Sequence, residues 1–384
     1  MPRRATRVPL LSNSPGTQRF LTVYRFGKPG ARPKAYIQAA IHANELPGVM
    51  ALHYLLPMLD AAETAGEIKG EVIVVPTANP VGLSQHLNAN HLGRFDFNLR
   101  ENYNRNFLDI GDAVVAKVKG KLGPDQAKNV DLVRKAMTRQ VADFRPPNEP
   151  QFLKKVLMGM SVDADYVIDL HCDTHSALHL FAGASRRDAV EELSADIGSA
   201  ATTVGRPDAI PAIMSFSACN IAPWLKLAKA YPDAALPKTS FSVTIEYRGQ
   251  ADVSHAMGKS DGAALFRFLQ RRGVVGGDPG PLPKARCRIT PGWGMDVGYA
   301  PKAGMLVYLK DRGVKVKAGE TICEIIDPLD PFAADCKTEI KAAAAGVLFS
   351  RRRDGTLTFP GQVLYRLAAE KELPHRIGRP GTDD

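Results

Sequence analysis

Three short strings in this sequence close apolar runs on residues that can bind a cation or move a proton: "HANE" at 42–45, "DLH" at 169–171 and "TIE" at 244–246. A carboxylate or imidazole at the end of a buried strand is costly unless it is paired or functional. Two histidines and one glutamate make up the three-ligand set of catalytic zinc, which leaves a fourth position for water. His42, Glu45, His171 and Glu246 together supply three such ligands and one spare carboxylate suited to general-base work. Each string alone has a plainer explanation. The first is also what a solvated loop looks like, with Glu45 favouring the positive end of a following helix. It is the joint appearance of all three at strand ends that argues for a metal site. Asp169 precedes His171 by two residues and so shares its face of the strand. It is either a partner that orients the imidazole or a buried carboxylate satisfied by the backbone. Cys172 should point to the opposite face and pack as a small core residue.

A fourth string, "GRFDFNLRENYNRNF" at 93–107, is rich in Asn and Arg and reads as loop. Arginine offers a fixed bidentate fork for a carboxylate, and asparagine adds an amide donor. The competing explanation, a solvated loop, is even with the functional one for Arg100 and weaker for Arg105. His86 and His91 sit in a loop near the same place as substrate-contact candidates, whereas His53, His175 and His179 read as ordinary structural histidines. "GKSDG" at 258–262 matches the nucleophile elbow GxSxG formally, but no strand precedes it. Ser260 or Asp261 is better explained as an N-cap of the helix that follows.

The elements that would hold these residues follow a regular alternation. Strands are expected at 35–41, 71–77, 166–171, 177–183 and 241–247, several of them continuous apolar runs as in a mainly parallel sheet buried on both faces. Helices are expected at 47–62, 126–142, 150–160, 185–204 and 256–272, with Pro47 suited to a first helical position. That order predicts a three-layer α/β domain whose strand ends carry the site. The Gly/Pro stretch "GVVGGDPGPLP" then reads as a linker at 273–284. Short glycine-started β runs follow, predicting a β-rich C-terminal domain at 285–370 and a tail at 371–384.

A chain of 384 residues suffices for one large or two ordinary domains with a dry core. With 45% hydrophobic and 23% charged residues it is neither disordered nor fibrous. No apolar run approaches the roughly 20 residues of a membrane span, and the N-terminal apolar stretch is too short for a signal peptide. Five scattered cysteines without a CxxC pair argue for reduced thiols and a cytoplasmic location. The net charge of +10 is dispersed and lacks interleaved aromatics, so no nucleic-acid partner is expected.

With these motifs in order, the chain resembles the succinylglutamate desuccinylase/aspartoacylase family, a branch of the zinc carboxypeptidase-like hydrolases. The likeness rests on "HANE", "NYNRNF" at 102–107, "DLH" and "TIE", and covers about 35–270. It implies a carboxypeptidase-like catalytic domain at 1–272 with a mixed, mainly parallel sheet and a barrel-like C-terminal domain. It further implies one Zn2+ per chain on His42, Glu45 and His171, with Glu246 as general base and acid. Asn104 and Arg105 would clamp the substrate carboxylate. An arginine upstream of that clamp would polarise the scissile carbonyl, which points to Arg94 ahead of Arg100. Asn102 and Tyr103 stand where the family commonly has Asp and Leu, a departure that bears on the substrate. The resemblance thus implies hydrolysis of an N-acyl amino acid or related small N-acyl amine, by a chain compatible with homo-oligomers. The alternatives are a metallocarboxypeptidase on short peptides and a non-catalytic zinc-containing binding protein.

Overall fold

The computed structural model describes residues 5–183, 186–206, 209–237 and 240–378. The first residue of the helix expected at 185–204 and the end of the expected tail, 379–384, therefore lie outside the described residues. The centre of the molecule is a nine-stranded sheet. In chain order its strands are β1 (Ala5–Pro9), β2 (Phe20–Gly27), β3 (Lys34–Ala39), β4 (Glu71–Val75), β5 (Tyr166–Asp173), β6 (His179–Ala182), β7 (Ala201–Val204), β8 (Phe241–Gly249) and β9 (Ile289–Pro291). Across the sheet they run β1-β2-β4-β3-β5-β8-β6-β7-β9. The central run β4-β3-β5-β8 is parallel, while the β1–β2, β2–β4 and β8–β6 pairs are antiparallel. β3 and β4 are buried along their whole length, as strands covered on both faces must be.

Helices form the two outer layers: α1 (Pro47–Thr64), α2 (Gly111–Val118), α3 (Gln126–Asp143), α4 (Glu149–Ser161), α5 (Arg187–Ile197), α6 (Phe216–Ala230) and α7 (His255–Arg271). α1, α5 and α7 pack over one face of the sheet, and α2, α3, α4 and α6 over the other. The expected three-layer α/β architecture is therefore present, with a mixed sheet and additional C-terminal strands. α1 follows the 42–45 loop directly, with Pro47 in its first turn and Leu52, Leu55 and Leu59 buried on one stripe. Burying each such side chain contributes about 1.5–3 kcal/mol, which anchors the loop ahead of it.

Several elements depart from expectation for identifiable reasons. The helix expected at 185–204 ends at Gly198, whose φ of 67° suits a helix terminus, and the remainder forms β7. α6 carries Pro223 in its interior, a residue that reads as a helix breaker. Ser260 and Asp261 lie inside α7, whose N-cap is Ser254, accepting from the Met257 N–H at 3.2 Å. Neither is the cap that the sequence suggested. At the start of the expected linker, Val274 and Val275 are core residues, and the Val274 carbonyl accepts from the Lys69 N–H at 2.9 Å.

The C-terminal strands are β10 (Met295–Tyr299), β11 (Gly304–Tyr308), β12 (Lys315–Val316), β13 (Thr321–Ile326), β14 (Lys337–Lys341), β15 (Gly346–Arg351), β16 (Leu357–Thr358) and β17 (Val363–Ala368). They form two sheets, β10-β17-β15-β12 and β14-β13-β11-β16, around a core that includes Leu306, Ile322, Ile325, Leu348 and Leu367. This β-rich unit is stitched to the α/β unit, because β15 pairs with the His175–Ser176 strand through Ser350↔Ser176 and Arg351↔His175. Among the described residues, no helix is long and apolar enough to cross a membrane.

A Cβ added at Gly48 would lie 2.7 Å from Leu170 Cβ and 3.2 Å from Ala39 Cβ. α1 sits that close to β3 and β5 only because position 48 lacks a side chain. Gly48→Ala is expected to destabilise the fold by about 1–3 kcal/mol through overpacking, read as a lower urea midpoint at unchanged slope.

Candidate metal centre and cavity

β3, β5 and β8 deliver the chemically active residues to one end of the sheet. Past β3, Ala40 takes a left-handed backbone conformation with φ of 57° and turns the chain. Asn79 Nδ2 then donates to the Ile41 carbonyl at 2.9 Å, and the Glu45 N–H donates to the His42 carbonyl at 3.1 Å. That tight turn sets His42 and Glu45 side by side. On the neighbouring strands His171 of β5 is in register with Glu246 of β8, and parallel neighbours in register point their side chains to the same face.

The three side chains expected as ligands converge. Glu45 Oε1 lies 3.0 Å from His42 Nδ1, and Glu45 Oε2 lies 2.8 Å from His171 Nδ1. One ligand atom from each residue falls within 4.8 Å of the others, and all three residues are buried. The far side of each imidazole meets an acceptor: His42 Nε2 is 2.9 Å from Asn102 Oδ1, and His171 Nε2 is 2.8 Å from Asp169 Oδ2. Acceptors there hold the proton on Nε2 and leave the Nδ1 lone pair for a cation, the usual way a partner orients a ligating histidine. Behind Asp169 the chain of contacts continues, since Tyr36 OH donates to Gln38 Oε1 at 2.8 Å and Gln38 Nε2 donates to Asp169 Oδ1 at 2.9 Å. The donor set and its bracing fit a divalent cation of the zinc type.

Electrostatics follow from this packing. Burial alone would raise the Glu45 carboxyl, but the two adjacent imidazoles outweigh it and hold the group well below the usual carboxylate range. Burial likewise opposes charge on His171, yet Asp169 and Glu45 flank it and raise its pKa. His42 is lowered, first by burial and then by the Arg94 guanidinium. Glu246 is pushed up to about 8, chiefly by its removal from bulk water, with Glu45 and Asp173 adding to the rise and His171 opposing it.

A cavity of about 350 Å³ opens beside the cluster and is lined by His42, Glu45, Arg94, Asn104, Arg105, His171 and Glu246 among others. The three expected ligands, the expected general base, Arg94 and the expected Asn104–Arg105 clamp thus reach one cavity. Arg94 Nη1 lies 3.1 Å from Glu45 Oε1 and 3.2 Å from His42 Nδ1, whereas Arg100 is exposed, with φ of 56° in its turn. Asn104 is partly committed within the protein: its Oδ1 accepts from the Phe216 N–H at 2.8 Å, and its Nδ2 lies 3.2 Å from His171 Nε2. His86 and His91 stack on each other in a surface hairpin, with ring centroids 4.8 Å apart and outside the cavity lining. Cys172, expected to face away from the site as a core residue, is buried but also lines the cavity, and burial pushes its thiol pKa far up. Its backbone N–H faces Glu45 Oε2 at 3.3 Å.

Three contributors escaped the sequence. Asn102 orients His42 from the position where an aspartate was the expected residue. The string containing it drew notice, although nothing in it showed which side chain it would meet. His179, taken as structural, lines the cavity and stands opposite Glu246 in the β8–β6 register. Arg366 reaches the cavity from β17, and no sequence signal ties it to residues so distant in the chain.

The fold is a mixed α/β sheet with two imidazoles and a carboxylate gathered at its strand ends. The sequence model of the succinylglutamate desuccinylase/aspartoacylase catalytic domain matches residues 31–133. A succinylglutamate desuccinylase/aspartoacylase family protein from Shewanella amazonensis is 25% identical, with a TM-score of 0.83 over 96% of this chain and 98% of its own. A second such protein, from Shewanella frigidimarina, has a TM-score of 0.82 at 21% identity, covering 96% of this chain and 98% of its own. The ectoine utilization protein of Ruegeria pomeroyi, in a product-bound structure, has a TM-score of 0.58 at 17% identity, covering 96% of this chain and 100% of its own. A search of curated proteins found no match. The resemblance to the succinylglutamate desuccinylase/aspartoacylase family is borne out, and that family is one of deacylating hydrolases.

The bracing of His171 yields a direct test. Asp169→Ala is expected to weaken zinc binding by about 10- to 100-fold, measured by competition with a chromogenic chelator. Unchanged affinity would show that Asp169 does not orient a ligand.

Proposed function

We propose that this chain is a zinc-dependent hydrolase that cleaves the amide bond of an N-acyl amino acid or a related small N-acyl amine. The observation that carries this reading is the convergence of His42 Nδ1, Glu45 and His171 Nδ1, with both outer imidazole nitrogens on acceptors and Glu246 beside them. Zinc bound by these three residues supplies Lewis acidity, lowering the pKa of a water from 15.7 toward about 7 and polarising a carbonyl. Glu246 takes the proton of the attacking water and passes it to the leaving nitrogen, a task suited to a carboxylate with a raised pKa. Arg94, beside Glu45, stabilises negative charge on the carbonyl oxygen as it develops. Asn104 and Arg105 hold the substrate carboxylate at the same cavity. Five free cysteines, three of them buried, support a reducing, cytoplasmic setting.

Metal analysis of the purified protein should return one zinc per chain, and its removal by chelation should abolish turnover until zinc is restored. Glu246→Gln should retain the metal and lose about 10²- to 10⁴-fold in kcat; unchanged turnover would remove Glu246 from the reaction. N-acetyl and N-succinyl amino acids should be assayed beside N-blocked dipeptides. Preference for the dipeptides would identify a metallocarboxypeptidase, and zinc without any hydrolysis would identify a binding protein.

A further inference from the structure

The cavity has two chemically different halves. The cations and carboxylates gather at the strand ends around Glu45 and Glu246. The wall beyond is apolar and comes from three places: Phe181 of β6, Pro211 and Ile213 of the loop before α6, and one face of α6. Ala218, Ile221 and Leu225 recur on α6 at spacings of three and four, so they present a single stripe. Where this stripe meets the edge of β6, a Cβ at Gly183 would lie 2.9 Å from Ile221 Cδ1, so the two sides meet without a gap. Beyond Glu246 the floor carries the hydroxyls of Thr244 and Ser242. Glu246, Thr244 and Ser242 alternate along β8, and Thr244 Oγ1 is 2.7 Å from Ser217 Oγ. From Glu246 to Ser242 the floor runs about 13 Å at roughly 3.3 Å per residue.

The two further arginines that line the cavity, Arg206 and Arg366, already face acids. Arg206 Nη1 lies 3.5 Å from Glu372 Oε1, and its guanidinium stacks 4.7 Å from the Trp293 ring centroid. Arg366 Nη1 lies 3.4 Å from Asp173 Oδ2. A second substrate carboxylate in this half would have to compete with these acids or enter apolar surroundings without a partner, which is costly.

We propose that the substrate carries an uncharged apolar group, several carbons long, on the acyl or the amine side of the scissile amide, and no second carboxylate. This rests on the hydrolase reading above. Ala218, Ile221, Leu225, Phe181 and Ile213 are then the residues that set specificity.

The zinc-loaded protein should be assayed on two series. One holds the acyl group as acetyl and varies the amino acid through Gly, Leu, Phe, Asp and Glu. The other holds glycine and varies the acyl group through acetyl, butanoyl, hexanoyl and succinyl. At least one apolar member should exceed every dicarboxylic member by about 10-fold or more in kcat/KM, the scale set by contacts in a hydrophobic pocket. The series that shows the rise identifies the side of the amide. Ala218→Leu, checked for folding by thermal unfolding, should cut the ratio of the best apolar substrate to N-acetylglycine by about 10-fold. Equal or better turnover of N-acetylaspartate, N-acetylglutamate or N-succinylglycine overturns the inference while leaving the hydrolase reading intact. Absence of turnover across both series instead overturns the hydrolase reading. Calorimetric binding of the same compounds then decides the inference: tighter binding of the apolar members supports it, and any other result refutes it.

Discussion

Glu45 and Asp169 are withdrawn from water on either side of His171, with Glu246 half-buried on the neighbouring strand, and the surrounding structure is arranged around that concentration of negative charge. A buried carboxylate is tolerated when it is paired and hydrogen-bonded. Here the pairing is interleaved: Glu45 lies between the two imidazoles, His171 lies between Glu45 and Asp169, and Arg94 leans on Glu45 from the opposite loop. The Glu246 carboxyl is driven upward chiefly by its removal from bulk water, with Glu45 and Asp173 adding to the rise and His171 and Arg94 opposing it. The same arrangement favours a cation among these groups.

Holding charges in that order requires a rigid frame. The parallel register of β5 and β8 fixes His171 against Glu246 through backbone pairing, so their separation does not depend on flexible side chains. The 42–45 loop is pinned from behind by α1, whose close approach needs Gly48. It is pinned from above by the loop that carries Arg94. The Ala43 N–H donates to the Gly93 carbonyl at 2.9 Å, and a Cβ at Gly93 would meet Ala43 Cβ at 2.5 Å. Sites built on packed backbone in this way keep their ligands in position without relying on the metal to gather them.

The β-rich C-terminal unit belongs to the same construction. Asp173, at the end of β5, receives the Ser350 hydroxyl from β15 and faces Arg366 from β17. Arg312 donates to Asp252 at 3.0 Å through Nη2, and to the Ser176 carbonyl at 2.8 Å through Nη1. Residues near the end of the chain thereby hold the segments after β5 and β8 and complete one side of the cavity. Ile289–Pro291, inside the region expected to be the C-terminal domain, is an edge strand of the large sheet.

Much of this molecule was legible in its sequence, and the limits of that legibility have physical causes. Strands buried on both faces must be apolar throughout, so β3, β4, β5 and β8 stood out, and the polar residues that ended them marked the site. The helices with a clear apolar stripe or a proline start, such as α1 and α3, were equally visible. β1 is almost wholly exposed at the sheet edge, β2 beside it is only partly buried, and α6 contains a proline, so local pattern spoke weakly or wrongly there. Residue type and spacing along the chain determined the candidate ligands and the general base. Only the tertiary structure decided that Asn102 faces His42, that His179 stands opposite Glu246 and that Arg366 reaches the cavity. Strand register and packing between distant segments set those contacts, and neither is written in any local run of residues.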